Sequence, residues 1–525
     1  LADLILHNGT VITMDPAGPH AEAVALAGGR ITAAGTDADM LALRRPGTRT
    51  VDLQGATVTP GFHDAHVHLT ASGQALGRPD LSTARNFEET LEIIRTAGGD
   101  GWLLGAGFRV AALGADNLTA AALDRLWPDR PVLLRSADHH SAWLNTRALE
   151  LTGIFDEHED PPGGRIARDA DGRPSGLLYE AAAGLALDRR PRSTPEELAA
   201  AARAAGDNFA ALGITTVHHM AGVEEAGSWR AMADVASSGG FPVRVWACIE
   251  QENLEEAAAL GLGTGHGGRL FTVGGAKFFV DGALGSSTAW LLEPYAGGTD
   301  TGIRMVEPEE LNARVALAAA SGFAPVVHAI GDAAVRATLD ALEASRDTWQ
   351  ARGLRPRLEH AQHITRADVR RCAELGVIVS AQPIHLPGDA QGMDDRLGDR
   401  TGRAFVFREF LDAGVPLAFG SDAPIAPPAV PPGLAAAVER RDAAGNVFHP
   451  EQALTPAEAL QAFTAGAAYA AGQETWNGRL RPGFAADLTV LDGNPLEDPG
   501  GGSVLLTLKD GLVTFTAGSL EEKEH

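Results

Sequence analysis

The chain has 525 residues, 45% of them hydrophobic and 21% charged, which gives enough apolar side chain for a large core and argues against a disordered polymer. Its 68 acidic against 43 basic residues leave a formal net charge of −25. No basic stripe offers phosphates a docking surface, so nucleic acid is not an expected partner. Two cysteines, Cys248 and Cys372, are too few for a disulfide framework or a cysteine metal cage. A reducing, cytoplasmic setting is the simplest expectation, and any metal falls to His, Asp, Glu or a modified side chain.

Leu1 to Asp15 lacks the basic start and unbroken apolar run of a secretory signal. Residues 1–56 carry short β-type runs, Leu4 to Leu6, Val11 to Thr13, Val24 to Leu26 and Ile31 to Ala33, parted by Gly and Asp turns. Residues 476–520 have the same character, with Asp487 to Leu491 and Val504 to Leu508. Neither piece is large enough to hold a good core alone. One small β-sandwich built from both chain termini is therefore expected, with the charged Glu521 to His525 frayed beyond it.

Residues 57–475 are read as the central domain, in which helix signals and short apolar strands alternate from residue 193 onward. The expected strands are Thr57 to His63, Ile214 to His218, Val243 to Ile249, Val273 to Val280, Ala324 to His328, Pro356 to His360, Val377 to Gln382 and Val415 to Ser421. Ser193 and Glu196 form an S-x-x-E capping box before an Ala-rich run that Gly213 stops. Pro308 opens a helix closed by Gly322, and Thr365 opens one closed by Gly376. The longest apolar stretch, Val315 to Ile330, is broken by Ser321, Gly322, Pro325 and His328 and reads as helix, turn and strand, so no membrane span is expected. Repeated helix-then-strand order implies a parallel sheet, and eight such strands imply a (β/α)₈ TIM barrel with its chemistry at the strands' C-terminal ends. An open doubly wound sheet is the alternative. The gap between the first and second strands far exceeds an ordinary βα connection. It is read as an inserted lid subdomain, about residues 80–190, containing Trp102 to Phe108, Pro131 to Arg135 and Pro161 to Gly176.

Ionisable and polar residues cluster where these strands finish. His66 and His68 lie two apart in an extended segment, so both imidazoles can face one cation. The bare H-x-H pattern is weak alone. Lys277 strengthens it: this chain has only three lysines among its 43 basic residues, yet one sits in the apolar run Val273 to Val280. A buried ammonium is costly, and Lys escapes by losing its proton whereas Arg does not. A neutral lysine can form a Schiff base with a carbonyl substrate or take up CO₂ to become a metal-bridging carbamate, and a protonated one can pair with Asp281 or another acid. The carbamate reading needs further ligands at other strand ends, and His328, His360 and Asp422 supply them on strands five, six and eight.

With that constellation the sequence resembles the amidohydrolase superfamily, and within it amidohydrolase family 3, the branch similar to N-substituted formamide deformylase. The resemblance runs through Pro60 to Leu69, Asp138 to Leu149, Gly163 to Glu180, Gly213 to His218, Ala276 to Ala289, His328 to Ala333, Arg357 to Gln362, Gly420 to Pro424 and Leu480 to Asp492. It implies a metal-dependent hydrolase acting on carbon–nitrogen bonds other than peptide bonds, usually with zinc, one or two ions. His66 and His68 would hold one metal and His328 and His360 the second, with His363 a possible substitute. Carbamylated Lys277 would bridge them, and Asp422 would bind the first metal and manage protons as a metal-activated hydroxide attacks the substrate carbonyl.

His140, Trp143, His218 and Gln382 are the candidate substrate contacts. Ser287, Met220 and Phe108-Arg109 depart from the branch's pattern in presumed pocket loops. The alternatives are ring opening, deamination or ester hydrolysis on the same ligands, a Schiff-base lyase using Lys277, and a non-catalytic regulatory scaffold. The expected partner is a small-molecule substrate, with a homodimer open as the assembly.

Overall fold

Eight parallel strands follow one another in chain order around a single sheet. They are β1 (Phe62–Val67), β2 (Ile214–His219), β3 (Arg244–Glu250), β4 (Phe271–Phe279), β5 (Ala324–Ala329), β6 (Arg357–His360), β7 (Ile378–Ala381) and β8 (Leu417–Phe419). This computed structural model describes every residue except 1, 99–100, 137–140, 158, 191, 222–226, 391, 519 and 525. The sheet is brought round to its own start just beyond the last strand, where a parallel bridge joins Val67 to Ala423. His68 N donates to Ala423 O at 2.7 Å, and Asp422 N donates to His66 O at 2.7 Å. The expected (β/α)₈ barrel is the fold observed.

The helices between strands arise from the signals in the sequence. Pro308–Ala320 and Arg366–Leu375 begin and end as read, the second capped by Thr365 Oγ1 and stopped by Gly376 at φ 72°. The helix Pro195–Ala211 is capped one residue later than expected: Thr194 Oγ1 accepts from Glu197 N, and Glu197 Oε2 accepts from Thr194 N, so the reciprocal box is Thr194/Glu197. Phe62, Val217, Val245, Val273, Val327, Leu358 and Val379 join one apolar cluster with Leu311, Leu339, Val369 and Phe410 from the helices.

The first expected strand, Thr57 to His63, is two strands. Thr57–Pro60 pairs antiparallel with Leu488–Leu491 in a different sheet, and β1 begins after Gly61. A Cβ on Gly61 would lie 2.3 Å from Thr215 Oγ1, so only glycine lets the chain cross between sheets there. The break carries β1 on to Val67, so His66 is inside the strand rather than after it.

Residues near both termini build two further sheets. One orders Glu521–Glu524, Arg49–Asp52, Leu4–His7, Ala23–Ala27 and Arg30–Gly35; the other orders Leu512–Thr516, Val504–Lys509, Leu488–Leu491, Thr57–Pro60, Thr10–Ile12 and His20–Ala21. Leu6, Val24, Val51, Val58, Leu488 and Leu508 share a single apolar cluster across them. The expectation of a frayed tail is corrected for Glu521–Glu524, whose backbone pairs antiparallel with Arg49–Asp52.

Residues 74–197 form a separate compact unit; residues 1–73 and 198–525 form the other. The smaller unit has its own sheet, ordered Gly164–Arg168, Pro174–Glu180, Ser141–Leu144, Val132–Ser136 and Leu103–Phe108, with Leu134, Trp143, Leu177 and Phe108 in one core cluster. No described helix is long and apolar enough to cross a membrane.

The barrel seam depends on a close backbone approach. A Cβ on Gly420 would stand 2.5 Å from His66 N and 2.7 Å from Asp64 Oδ1. Gly420→Ala should lower stability by about 1–3 kcal/mol, read by chemical denaturation. Wild-type stability would show that the seam yields at no cost.

Candidate metal centre

The site is assembled from strand ends. His66 from β1, His68 just beyond it and Asp422 beyond β8 bring donor atoms to within 4.8 Å of one another, and all three residues are buried. His66 Nε2 and His68 Nε2 each lie 3.4 Å from Asp422 Oδ1. The ring of His360 lies 4.8 Å from that of His66, centroid to centroid, and the ring of His328 lies 4.4 Å from that of His360. Four of the expected imidazoles therefore form a contiguous group.

The backbone at this group is held in uncommon conformations. His360 has φ 71° and Asp422 φ 64°, the left-handed region that costs a non-glycine residue about 1–3 kcal/mol. Ordered bonds oppose that cost. Asp64 accepts from Ser421 N at 2.8 Å, from Ser421 Oγ and from His66 N at 3.2 Å, tying the end of β8 to β1. Burial pushes the Asp64 carboxyl up to about 7 against those bonds.

Burial leaves His66, His328 and His360 neutral, as metal ligands must be. Burial, aided by the field of Lys277, depresses His66 to about 4 and His328 to about 3, and burial with the field of His328 takes His360 well below its ordinary range. Burial works the other way on Asp422, but the surrounding imidazoles outweigh it and hold the carboxyl far below the usual carboxylate range.

Lys277 lies on β4 with 1% of its surface exposed, and among the described residues its Nζ has no hydrogen-bond partner. Its Nζ lies 5.0 Å from the centroid of the Phe279 ring. Desolvation lowers the amine's pKa, opposed most by Glu359. The pairing with Asp281 is not found: that carboxylate accepts from Ile330 N, Gly331 N and Trp290 N, at 3.0, 2.8 and 2.9 Å. The three clustered donors suit a divalent-cation site.

Beneath the site runs a buried ionic network that the sequence reading missed. His66 Nδ1 meets Glu359 Oε2 at 2.7 Å, and Glu359 is gripped by Arg357 through Nε at 2.8 Å and Nη2 at 3.2 Å. Arg357 also reaches His218 Nδ1 at 2.9 Å, Ser380 Oγ at 3.0 Å and Ala65 O at 2.7 Å. Arg357 and Glu359 are both fully buried. With Glu359 held ionised by Arg357, His66 Nδ1 carries the proton and Nε2 is left as a lone pair toward Asp422. The signal was available: Arg357 and Glu359 flank Leu358 in a strand expected to be part of the barrel, and charge in a buried strand is the same anomaly that singled out Lys277.

Three candidate substrate contacts are reassigned. Gln382 Oε1 accepts from His360 Nδ1 at 2.7 Å and its Nε2 donates to Ser380 O at 3.3 Å, so it orients the His360 ring. His218 lies in the barrel interior with Arg357, packed on Trp246 at 5.3 Å. Trp143 is fully buried in the core of the smaller unit, its indole N–H donating to Thr119 O at 2.9 Å, which leaves no face for substrate. His140 lies outside the described residues. His363 faces Asp332 at 3.6 Å rather than entering the imidazole group. Met220 is buried against Cys248, and Ser287 sits half-buried at φ 56°.

Glu359→Gln keeps the shape of the network and removes its negative charge. Metal affinity should fall about 10–100-fold, measured by chelator competition with circular dichroism as the control for fold. Unchanged affinity would make the pair a packing feature with no bearing on the site.

Comparison with known proteins gives the same assignment. The chain is 31% identical to the Protein LONG AFTER FAR-RED 3 of Arabidopsis thaliana over 95% of its own length and 88% of that protein's. It is 29% identical to the N-substituted formamide deformylase of Arthrobacter pascens over 98% of both chains. Among solved structures it resembles an uncharacterized metal-dependent hydrolase from Pyrococcus horikoshii OT3, with a TM-score of 0.79, 28% identity and coverage of 95% and 99% of the two chains. The model of the amidohydrolase family matches residues 49–515, and with its barrel and its strand-end histidines the chain belongs to that family.

Proposed function

We propose that this protein is a metal-dependent hydrolase that cleaves a carbon–nitrogen bond of the amide or formamide type. The observation that carries the reading is the convergence of His66, His68 and Asp422, with the orphaned, buried amine of Lys277 within electrostatic reach of His66 and Asp422. His66, His68 and Asp422 would hold one divalent ion, zinc in the simplest case, and His328 and His360 a second. When bound, such ions supply the charge that lowers the pKa of water toward neutrality and polarises a carbonyl.

The chain's own residues supply the rest. Neutral Lys277 attacks CO₂ through its lone pair, forming an N–C bond and releasing one proton to solvent, and the resulting carbamate presents two oxygens that share one negative charge where an ammonium would repel cations. Asp422, ionised and in reach of both His66 and His68, accepts the proton of the attacking water and returns it to the amine nitrogen as the C–N bond breaks. The products are a carboxylate, formate for a formamide, and an amine. Glu359 and Gln382 act through the histidines they orient.

Removal of metal with a chelator should abolish hydrolysis of N-formyl and N-acyl amines, and added zinc should restore it. Asp422→Asn should lose about 10²–10⁴-fold in kcat while circular dichroism stays unchanged. Lys277 in protein reconstituted with ¹³C-bicarbonate should give a carbamate carbon resonance that Lys277→Met lacks. Trapping of Lys277 by borohydride with a carbonyl compound, in metal-free protein that still turns over, would replace this reading with Schiff-base chemistry.

A further inference from the structure

Phe279 is the last residue of β4 and pairs in register with His328. Alternation along the strand puts it on the face of Lys277, opposite Phe278. Its ring lies 5.4 Å from that of His328, centroid to centroid, and 5.0 Å from Lys277 Nζ. The contiguous imidazoles of His68, His66, His360 and His328 therefore continue into a fifth ring, and this one has no donor atom.

Core packing does not account for that ring. Phe278 and Val280 on either side are buried in the main apolar cluster, whereas Phe279 is half-buried and, among the described residues, joins none of the apolar clusters. His328 beside it keeps 15% of its side-chain surface exposed and Asp422 11%, against 1% for His66, so these residues mark the side on which the donor group is open.

The topology says which part of a substrate the ring meets. β4 and β8 stand four strands apart by either route around the closed sheet, so Phe279 and Asp422 belong to opposite walls of the barrel mouth. Asp422 returns its proton to the amine nitrogen, which places that nitrogen against the β8 wall. The substituent on the other side of the scissile bond, the acyl arm, is thereby directed to the β4 wall.

We propose that Phe279 is a specificity-determining residue that packs against the acyl arm, so that the preferred substrates are amides of acids carrying an aromatic ring rather than a saturated one. Formamides, which have no such arm, gain nothing from this wall. The proposal rests on the hydrolase reading for the placement of the nitrogen, but the packing of the ring can be measured without turnover.

Hydroxamates carry the arm on the acyl carbon, and their binding to the zinc-loaded full chain can be measured by calorimetry. Phenylacetohydroxamate should bind about 2–10-fold tighter than cyclohexylacetohydroxamate, the margin that ring stacking adds to buried area. Phe279→Leu should bring that ratio to about one, and Phe279→Tyr should keep it. Acetohydroxamate has no arm to reach the ring, so an equal loss of its affinity in Phe279→Leu would make the residue a support for His328 and overturn the proposal. Should Phe279→Leu fail to fold, the wild-type ratio decides alone: equal binding, or tighter binding of the saturated ring, overturns it. Kinetics tests the side of the bond. The kcat/KM ratio of N-methyl-2-phenylacetamide to N-methyl-2-cyclohexylacetamide should fall in Phe279→Leu, while that of N-benzylacetamide to N-cyclohexylmethylacetamide should not; an effect confined to the second pair would overturn the acyl assignment. Hydrolysis of both acyl amides with equal efficiency keeps the hydrolase and removes the wall, a ring preference among hydroxamates without hydrolysis does the reverse, and binding of none of the hydroxamates removes both.

Discussion

The Arg357–Glu359 pair, fully buried under the imidazole cluster, is the constraint on which the rest of the site depends. A buried ion pair is a poor source of stability, because desolvation of two charges offsets most of their attraction, yet removing one partner typically costs about 3–5 kcal/mol. Its value here lies in what it orients. Glu359 fixes the proton of His66, and Arg357 binds β1 through Ala65 O, β2 through His218 and β7 through Ser380. One guanidinium with its planar fork thereby joins four strands at the level just below the donor atoms, a task for which lysine's single ammonium is unsuited.

Above that layer the chain stores strain where it meets the donors. His360 and Asp422 both adopt left-handed backbone, and both are held by bonds from neighbouring strands: Ala361 N to Ala329 O at 3.1 Å, and Asp422 N to His66 O at 2.7 Å. The seam between β8 and β1 closes only because residue 420 lacks a side chain. Folding thus gathers donors that prefer to be apart, and burial neutralises His66, His328 and His360. Cation binding is the interaction that such an arrangement is poised to reward.

Much of this was legible in the sequence, for identifiable reasons. Lys277 stood out because a chain that favours Arg had placed a lysine in an apolar run, and the parallel barrel followed from helix caps and glycine stops recurring at regular intervals. The first strand was misjudged because Thr57 to His63 was read as one run across Pro60-Gly61, where the contact of Gly61 with Thr215 marks the change of sheet. Gln382, His218 and Trp143 were read as substrate contacts because a polar or aromatic group near a strand end has many possible partners. The structure supplies those partners, and they are His360, Arg357 and Thr119.

The most direct test of the central claim is anomalous X-ray diffraction at the zinc edge from crystals of the zinc-loaded full chain. The account predicts a peak enclosed by His66, His68 and Asp422, with continuous density from Lys277 Nζ into a carboxylate-shaped group beside it. An ion bound elsewhere, or an unmodified Lys277 amine directed away from the imidazoles, would contradict it.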